Sequence, residues 1–286
     1  MPDKHTAILV HGGAGRAPED KAAAERRREG CRAAARAGWE VLKKGGSALD
    51  AVEAAALVLE DNPEFNAGTG SVLNRDGTVE TDAAIMDGAT LAAGAVGAVS
   101  GVRNPIRLAR TVMEKSKHVM LAGAGAEAFA DANGIARCAP EELIVPARRK
   151  RWETSHGTIG AVARDTHGGL AAATSTGGIF MKLPGRIGDT PLVGCGTYAD
   201  VNAAVSATGD GEAVIRLTLA RLAAFEVAAG KTASEAAEAA IARLASSGLG
   251  EAALIVVDSQ GRLGFARNTP ALARAGISAT DEFADA

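Results

Sequence analysis

Segments with strand character and segments with helix character do not alternate along this chain. They come in neighbouring groups, and that grouping restricts the fold more than any single motif does. A regular βαβ order would call for a parallel sheet, whereas grouped strands joined by short turns favour antiparallel hairpins packed under pairs of helices. "TAILV" is a short buried strand ending at "HGGAG", and residues 19–44 follow as a predicted helix closed by Gly45 and Gly46. Ser47 with Asp50 resembles a capping box and opens a second helix, "SALDAVEAAALVLE". Pro63 and two glycines stop it within "DNPEFNAGTG". Two strand-like segments run from the turn "NRDG" through "TVETDAAIMDG" to "LAAGAVGAVSG", and Asn104-Pro105 starts another helix. "TIGAVARD" and "GLAAATS" are strands joined by "THGG". "TGDGEAVIRLTLARLAAFEVAAG" and "ASEAAEAAIARLASSG" each read as one helix, and "AALIVVDSQGRLGFAR" closes the chain as strand, turn and strand. The expected class is α+β in a single domain over residues 1–286. "RCAPEELIVPARRKRWETS", with two prolines and a basic cluster, reads as an exposed connector that divides the sequence but not the fold.

Charge and composition remove several function classes. A formal net charge of -3 gives no electrostatic case for a nucleic-acid or membrane-surface partner. Aromatic residues make up only 3% of the chain, so Ala, Val, Leu and Ile must build the core. Cys31, Cys138 and Cys195 are scattered and odd in number, which fits neither a disulfide framework nor a zinc ribbon. The N-terminal apolar stretch is too brief for a secretion signal, and "LAAGAVGAV" is too short to span a bilayer. A reducing cytoplasm is the expected compartment.

Motif by motif, common chemistries drop out. "HGGAGR" and "GAGAEA" do not complete G-x-G-x-x-G, and neither a phosphate-binding loop nor a G-x-S-x-G nucleophile elbow is present. The five histidines have no metal-ligand spacing, although His11 and His156 adjoin glycine loops. What remains is a concentration of glycine, threonine and paired charge from Gly157 to Glu212: "TSTGG", "KLPGRIGDTP" and "TGDGE". Such loops bring backbone N–H groups close to a ligand. Arg186 and Asp189 together could grip the opposite charges of one small zwitterion. Within "HGTIGAVARD", Gly157 followed by Thr158 opens an apolar strand.

Those segments, together with "HGGAG", "NPEFNAGTG", "TDAAIMDG", "AGAVGAVSGVRNPIRLAR", "AAATSTGG", "KLPGRIGDTPLVGCGTYAD" and "VSATGDGE", resemble the isoaspartyl peptidase/L-asparaginase family of N-terminal nucleophile hydrolases. The motifs occur in the family's order and span residues 6–275. The resemblance implies a four-layer αββα sandwich and a precursor that cuts itself between Gly157 and Thr158, giving an α subunit of 1–157 and a β subunit of 158–286. Gly157 would supply a strained turn that lets the Thr158 hydroxyl reach the preceding carbonyl. The chemistry is coherent, because a threonine hydroxyl is a poor nucleophile without an adjacent base. Once freed, the Thr158 α-amine titrates near neutrality and can serve as that base.

By the same resemblance, Thr176 orients Thr158, while Thr208 and the Gly209 N–H form an oxyanion hole. Arg186 holds a substrate α-carboxylate, Asp189 its α-amine, Gly211 lines that pocket, and Asn66 lies near the nucleophile. No organic cofactor is implied. A structural sodium ion would be held by backbone carbonyls of Leu59, Glu60, Asn62, Phe65, Ala67 and Thr69. The implied activity is hydrolysis of β-aspartyl dipeptides and L-asparagine to release L-aspartate, with small-molecule substrates only and a dimer of cleaved αβ units. The chain departs from the family after "TSTGG", where Ile179, Phe180 and Met181 replace a stretch close to M-T-N and predict an apolar wall for the leaving group. Two alternatives stand beside this reading: a glycosylasparaginase-like hydrolase, which typically carries Asp before the nucleophile, and an unprocessed, non-catalytic binding homologue.

Overall fold

The computed structural model describes residues 2–18, 20–145 and 157–286. Its larger sheet contains β1 (Ala7–Gly15), β2 (Thr81–Asp87), β3 (Ala93–Val99), β4 (Met120–Ala122), β5 (Ile159–Arg164) and β6 (Leu170–Thr176). The smaller sheet contains β7 (Thr197–Ala199), β8 (Ala203–Gly209), β9 (Ala252–Asp258) and β10 (Leu263–Arg267), and β11 (Ala271–Ser278) and β12 (Glu282–Asp285) return to the larger one. The orders are β12-β11-β1-β5-β6-β2-β3-β4 and β10-β9-β8-β7. Neighbouring strands are antiparallel throughout except β3 and β4.

Four layers follow from which faces these elements bury. Helices α1 (Lys21–Lys43), α2 (Ala48–Asp61), α3 (Pro105–Lys115) and α4 (Gly123–Ala132) cover one face of the larger sheet. The smaller sheet packs on its other face, and α6 (Leu219–Ala228) and α7 (Ala233–Ser247), preceded by the short α5 (Gly211–Leu217), cover the outside. The expected αββα sandwich is the observed one. Period-two alternation sorts the side chains: Ile8 and Val10 of β1 join the core under α1 and α2, whereas Ala7 and Leu9 join the core facing β8 and β9. Both faces being buried, the central strands read as continuous apolar runs. Alanine fills much of both cores, as the scarcity of aromatics requires.

Asp20 caps α1, with its side chain accepting the Ala23 N–H at 2.7 Å, and Ser47 caps α2 by accepting the Asp50 N–H at 3.1 Å. The predicted single helix over "GEAVIRLTLARLAAFEVA" is broken: Thr218 adopts φ 48° and ψ 53°, separating α5 from α6. "AALIVVDSQGRLGFAR" does form β9 and β10 but does not close the chain, because β11 follows and pairs with β1. "HGGAG" is also no terminus of β1; the strand continues to Gly15 through a register shift between His11 and Ala14.

The first part of the predicted connector is anchored. Cys138 N–H donates to Gly101 O at 2.9 Å, and a 3-10 turn, Pro140–Leu143, buries Leu143 against Leu73 and Val79. The rest of that connector, residues 146–155, and His156 lie outside the described residues. No helix among the described residues is long and apolar enough to cross a membrane.

Candidate active site

The hairpin β5–β6 brings two threonines together. Ile159 pairs with Ser175, so the next residues outward, Thr158 and Thr176, face each other at the open end of the hairpin. The Thr158 hydroxyl donates to Thr176 Oγ1 at 3.1 Å. Thr176 Oγ1 in turn donates to the Gly157 carbonyl at 3.1 Å and accepts the Gly178 N–H at 2.9 Å. Both threonines are buried.

Asn66, in the loop after α2, donates from Nδ2 to Gly157 O and to Gly178 O, each at 2.7 Å, while its Oδ1 accepts the Val72 N–H at 2.9 Å. The Gly157 carbonyl therefore receives two side-chain hydrogen bonds. Such donors draw electron density from the carbonyl carbon. The expected strained turn at Gly157 depends on the backbone of His156, outside the described residues. Gly13 is a demanding glycine, at φ +102°, where a Cβ would lie 2.8 Å from Gly157 Cα and 3.1 Å from Thr158 N. Only glycine lets β1 pass this close to the Gly157–Thr158 step.

β1 and β8 complete this end of the site. Thr208 ends β8 beside Gly209, and its Oγ1 accepts the Ala14 N–H at 3.2 Å, which leaves the hydroxyl hydrogen to donate. Beneath the nucleophile, His11 Nε2 lies 2.9 Å from Ser206 Oγ, and Ser206 Oγ lies 2.8 Å from Thr174 Oγ1. Burial pushes the His11 pKa down to about 3, so the imidazole is neutral. Ser206 and Thr174 lie inside the quoted segments "VSATGDGE" and "TSTGG" but carry no role on sequence grounds, because hydroxyls on buried strands look like ordinary strand residues.

Arg186 and Asp189 sit on the loop between β6 and β7 and border one small pocket with Gly157, Thr158, Thr176, Gly178, Ile179 and Gly209. Gly211 belongs to the same place, since a Cβ there would lie 2.8 Å from both Arg186 Nη2 and Asp189 Oδ1. Arg186 is not paired with Asp189 but bidentate to Glu212, Nε to Oε1 at 2.8 Å and Nη2 to Oε2 at 2.9 Å. Burial works against the Arg186 charge, yet the Glu212 hydrogen bonds together with the nearby charges of Glu212, Asp189 and Asp82 outweigh it and keep the guanidinium protonated. Asp189 Oδ2 is buried without a hydrogen-bond partner among the described residues. Burial pushes the Asp189 pKa up to about 7, with Arg186 opposing.

The pocket adjoins a wider groove that shares Ile179 and Gly209 and is lined also by Ala14, Gly15, Asp210, Glu212, Gly250, Glu251 and Thr269. Of the predicted apolar wall, only Ile179 borders either cavity; Met181 is 49% exposed at φ 60°. Three carboxylates, Asp210, Glu212 and Glu251, lie on the rim of this otherwise largely apolar groove.

The predicted carbonyl loop is compact, with Phe65 and Ala67 buried. Thr69 N–H donates to Glu60 O at 2.8 Å, Phe65 N–H to Asn62 O at 3.1 Å and Asn62 N–H to Leu59 O at 3.3 Å. Each of those oxygens keeps one lone pair. Thr69 Oγ1 is buried without a partner among the described residues. The Glu60 side chain accepts Ser175 Oγ–H at 2.6 Å and Ile106 N–H at 3.0 Å, and burial pushes its pKa up to about 8.

Comparison with known proteins agrees with this geometry. The Asparaginase family model matches residues 4–156 and 153–284. The isoaspartyl peptidase/L-asparaginase of Bos taurus is 49% identical over 89% of this chain and 87% of its own length. The isoaspartyl peptidase/L-asparaginase of Homo sapiens is 48% identical over 89% and 87%, and the plant-type L-asparaginase of Pyrococcus furiosus 48% identical over 92% and 93%. With those matches spanning nearly the whole chain and the αββα sandwich behind them, this protein belongs to the asparaginase family of N-terminal nucleophile hydrolases.

Proposed function

We propose that this chain is an autoprocessed threonine amidohydrolase that cleaves β-aspartyl dipeptides and L-asparagine, releasing L-aspartate. The observation that carries the reading is the placement, in one pocket, of Thr158 with the opposite charges of Arg186 and Asp189. Processing comes first. The Thr158 hydroxyl attacks the Gly157 carbonyl carbon, whose oxygen is held by Asn66 Nδ2 and Thr176 Oγ1, and the peptide nitrogen leaves as the Thr158 α-amine. Water then hydrolyses the resulting ester, separating residues 1–157 from 158–286.

In turnover, Arg186 takes the substrate α-carboxylate and the ionised Asp189 its α-ammonium. The freed α-amine of Thr158 accepts the hydroxyl proton as Oγ attacks the side-chain amide carbonyl. Thr208 Oγ–H and Gly209 N–H face the oxyanion, the amine departs with the returned proton, and water releases aspartate from the acyl-threonine. Ammonia leaves from asparagine and an amino acid leaves from a β-aspartyl dipeptide.

Backbone carbonyls of Leu59, Glu60, Asn62, Phe65, Ala67 and Thr69 suit a monovalent cation such as sodium, and the orphaned Thr69 hydroxyl supports that fit. Such an ion would stiffen the loop that presents Asn66. The free Cys31, Cys138 and Cys195 support a reducing, cytoplasmic setting. Pairing of two cleaved αβ units is the expected assembly, which sedimentation velocity checks. The function itself is tested by kcat/KM for β-Asp-Leu, L-asparagine and α-linked Asp-Leu. The first two should turn over. Hydrolysis of the α-linked peptide would contradict the clamp, because its scissile carbonyl occupies the α-carboxylate position.

A further inference from the structure

Resting on that reading of Arg186 and Asp189 as the substrate clamp, we propose that Asp82 is a positioning residue, which seats the clamp loop on a β-bulge of the larger sheet. The bulge lies between β2 and β3, where Thr81 pairs with Val99 but Ala83 pairs with Val96, so Asp82 alone faces Gly97 and Ala98. Ala98 adopts φ 50°, a conformation that a non-glycine residue holds only when its surroundings require it. Asp82 Oδ1 accepts the Ala98 N–H at 2.8 Å and so satisfies the donor that the bulge strands.

The other carboxylate oxygen does the work proposed here. Asp82 Oδ2 accepts the Gly188 N–H at 3.0 Å, one residue before Asp189. Beside it, Ile187 packs where a Cβ on Gly97 would meet Ile187 Cδ1 at 2.7 Å, so the bulge and the loop fit each other only with glycine at 97. The loop's earlier part is tied to the same strand end. Gly185 N–H donates to the Glu80 carboxylate at 3.1 Å, and Lys182, itself buried, donates from Nζ to Glu80 O at 2.7 Å. Asp82 is fully buried and is not itself part of the pocket lining, but it hydrogen-bonds Gly188 and pairs across the strands with Thr176, both of which are. Its influence on the clamp runs through the Gly188 backbone to the flanking Arg186 and Asp189, and through the charge of its carboxylate near both.

The consequence is a division of labour that a merely structural residue would not show. Thr158, just before β5, and the oxyanion donors Thr208 and Gly209 on β8 stand on strands that do not pair with β2, so loosening the loop should weaken binding of the aspartyl unit and largely spare the chemistry. The variant is Asp82→Asn, in which one amide hydrogen must face an N–H donor. Steady-state kcat and KM on β-Asp-Leu, and Ki for L-aspartate as a competitive inhibitor, are measured on the processed enzyme. KM and Ki should both rise on the order of tenfold, the size expected when a buried backbone donor loses a charged acceptor. kcat should stay within about twofold, with the cut before Thr158 complete.

KM and Ki within twofold of the wild type, or a lower kcat at unchanged KM, would overturn the role. If Asp82→Asn yields no soluble protein, Ile187→Ala is read by the same criteria, since it removes the packing that seats the loop on Gly97. A wild-type enzyme inactive on β-Asp-Leu would take down the underlying reading as well. An active wild type with an unchanged variant removes only the role of Asp82.

Discussion

The nucleophile centre and the substrate clamp lie side by side, yet they are finished to different degrees. Around Thr158 the hydrogen bonds close on themselves: Thr158, Thr176, Asn66 and the Gly157 carbonyl satisfy one another. In the clamp, Asp189 Oδ2 has no partner among the described residues, and Arg186 is held by Glu212, whose side chain is 58% exposed. Leaving a buried carboxylate oxygen unpaired costs about 1–3 kcal/mol, so it persists where something else is meant to bind. The contrast separates two reactions. The nucleophile centre already contains its first substrate, the chain's own peptide bond, whereas the clamp awaits an external zwitterion.

Removing the shared group should break both halves at once. Thr158→Ala is expected to abolish processing and turnover together, on the order of a 10⁴-fold loss or more in kcat. Thr158→Ser should keep part of each. A Thr158→Ala protein that still hydrolyses β-Asp-Leu would refute the assignment. Arg186→Ala should divide the two regions instead. Loss of a buried, charge-assisted contact costs about 2–5 kcal/mol, so kcat/KM should fall on the order of 10²–10³-fold while the cut proceeds. Equal damage to processing and turnover would erase the distinction drawn above.

A pH profile sharpens the clamp further. Burial holds Asp189 up to about 7, and only its ionised form attracts the substrate ammonium. kcat/KM should therefore rise with pH through about 7 and fall about tenfold per unit below it. Asp189→Asn should lower kcat/KM and flatten that acid limb. An acid limb unchanged in the variant would assign the titration to another group.

The smallest effect belongs to the groove that takes the leaving residue. Asp210, Glu212 and Glu251 line it, and all three are exposed. β-Asp-Lys should outperform β-Asp-Glu by a few-fold, about 1 kcal/mol or less, and added salt should narrow the gap. A preference for β-Asp-Leu over both would restore the apolar wall inferred from Ile179, Phe180 and Met181.

Much of this arrangement was legible before the fold was known. Grouped strands and helices announced the layered α+β architecture, and the strand "TIGAVARD" faced "GLAAATS" as its turn required. Thr158, Thr176, Arg186, Asp189, Gly209 and Asn66 were all named from motifs, and all converge. What stayed hidden depended on backbone geometry. The left-handed Thr218 that splits α5 from α6 carries no glycine or proline to mark it. β11 returns the chain to the larger sheet by pairing with β1, and a long-range pairing has no local signature. Glu212 and Asp82 lay inside recognised motifs, but their partners, Arg186 and Gly188, are 26 and 106 residues away. Of the expected apolar wall, Ile179 borders both cavities, and side-chain direction in a turn is not set by period.

The central claim is that the chain's own Gly157–Thr158 bond is the first substrate of the site. Intact mass spectrometry of the purified wild-type protein under denaturing conditions tests it most directly. Two species, residues 1–157 and a second fragment beginning at Thr158, are the predicted result, with only the full-length chain in Thr158→Ala. A single uncut wild-type chain, or a cut at any other bond, would contradict the account.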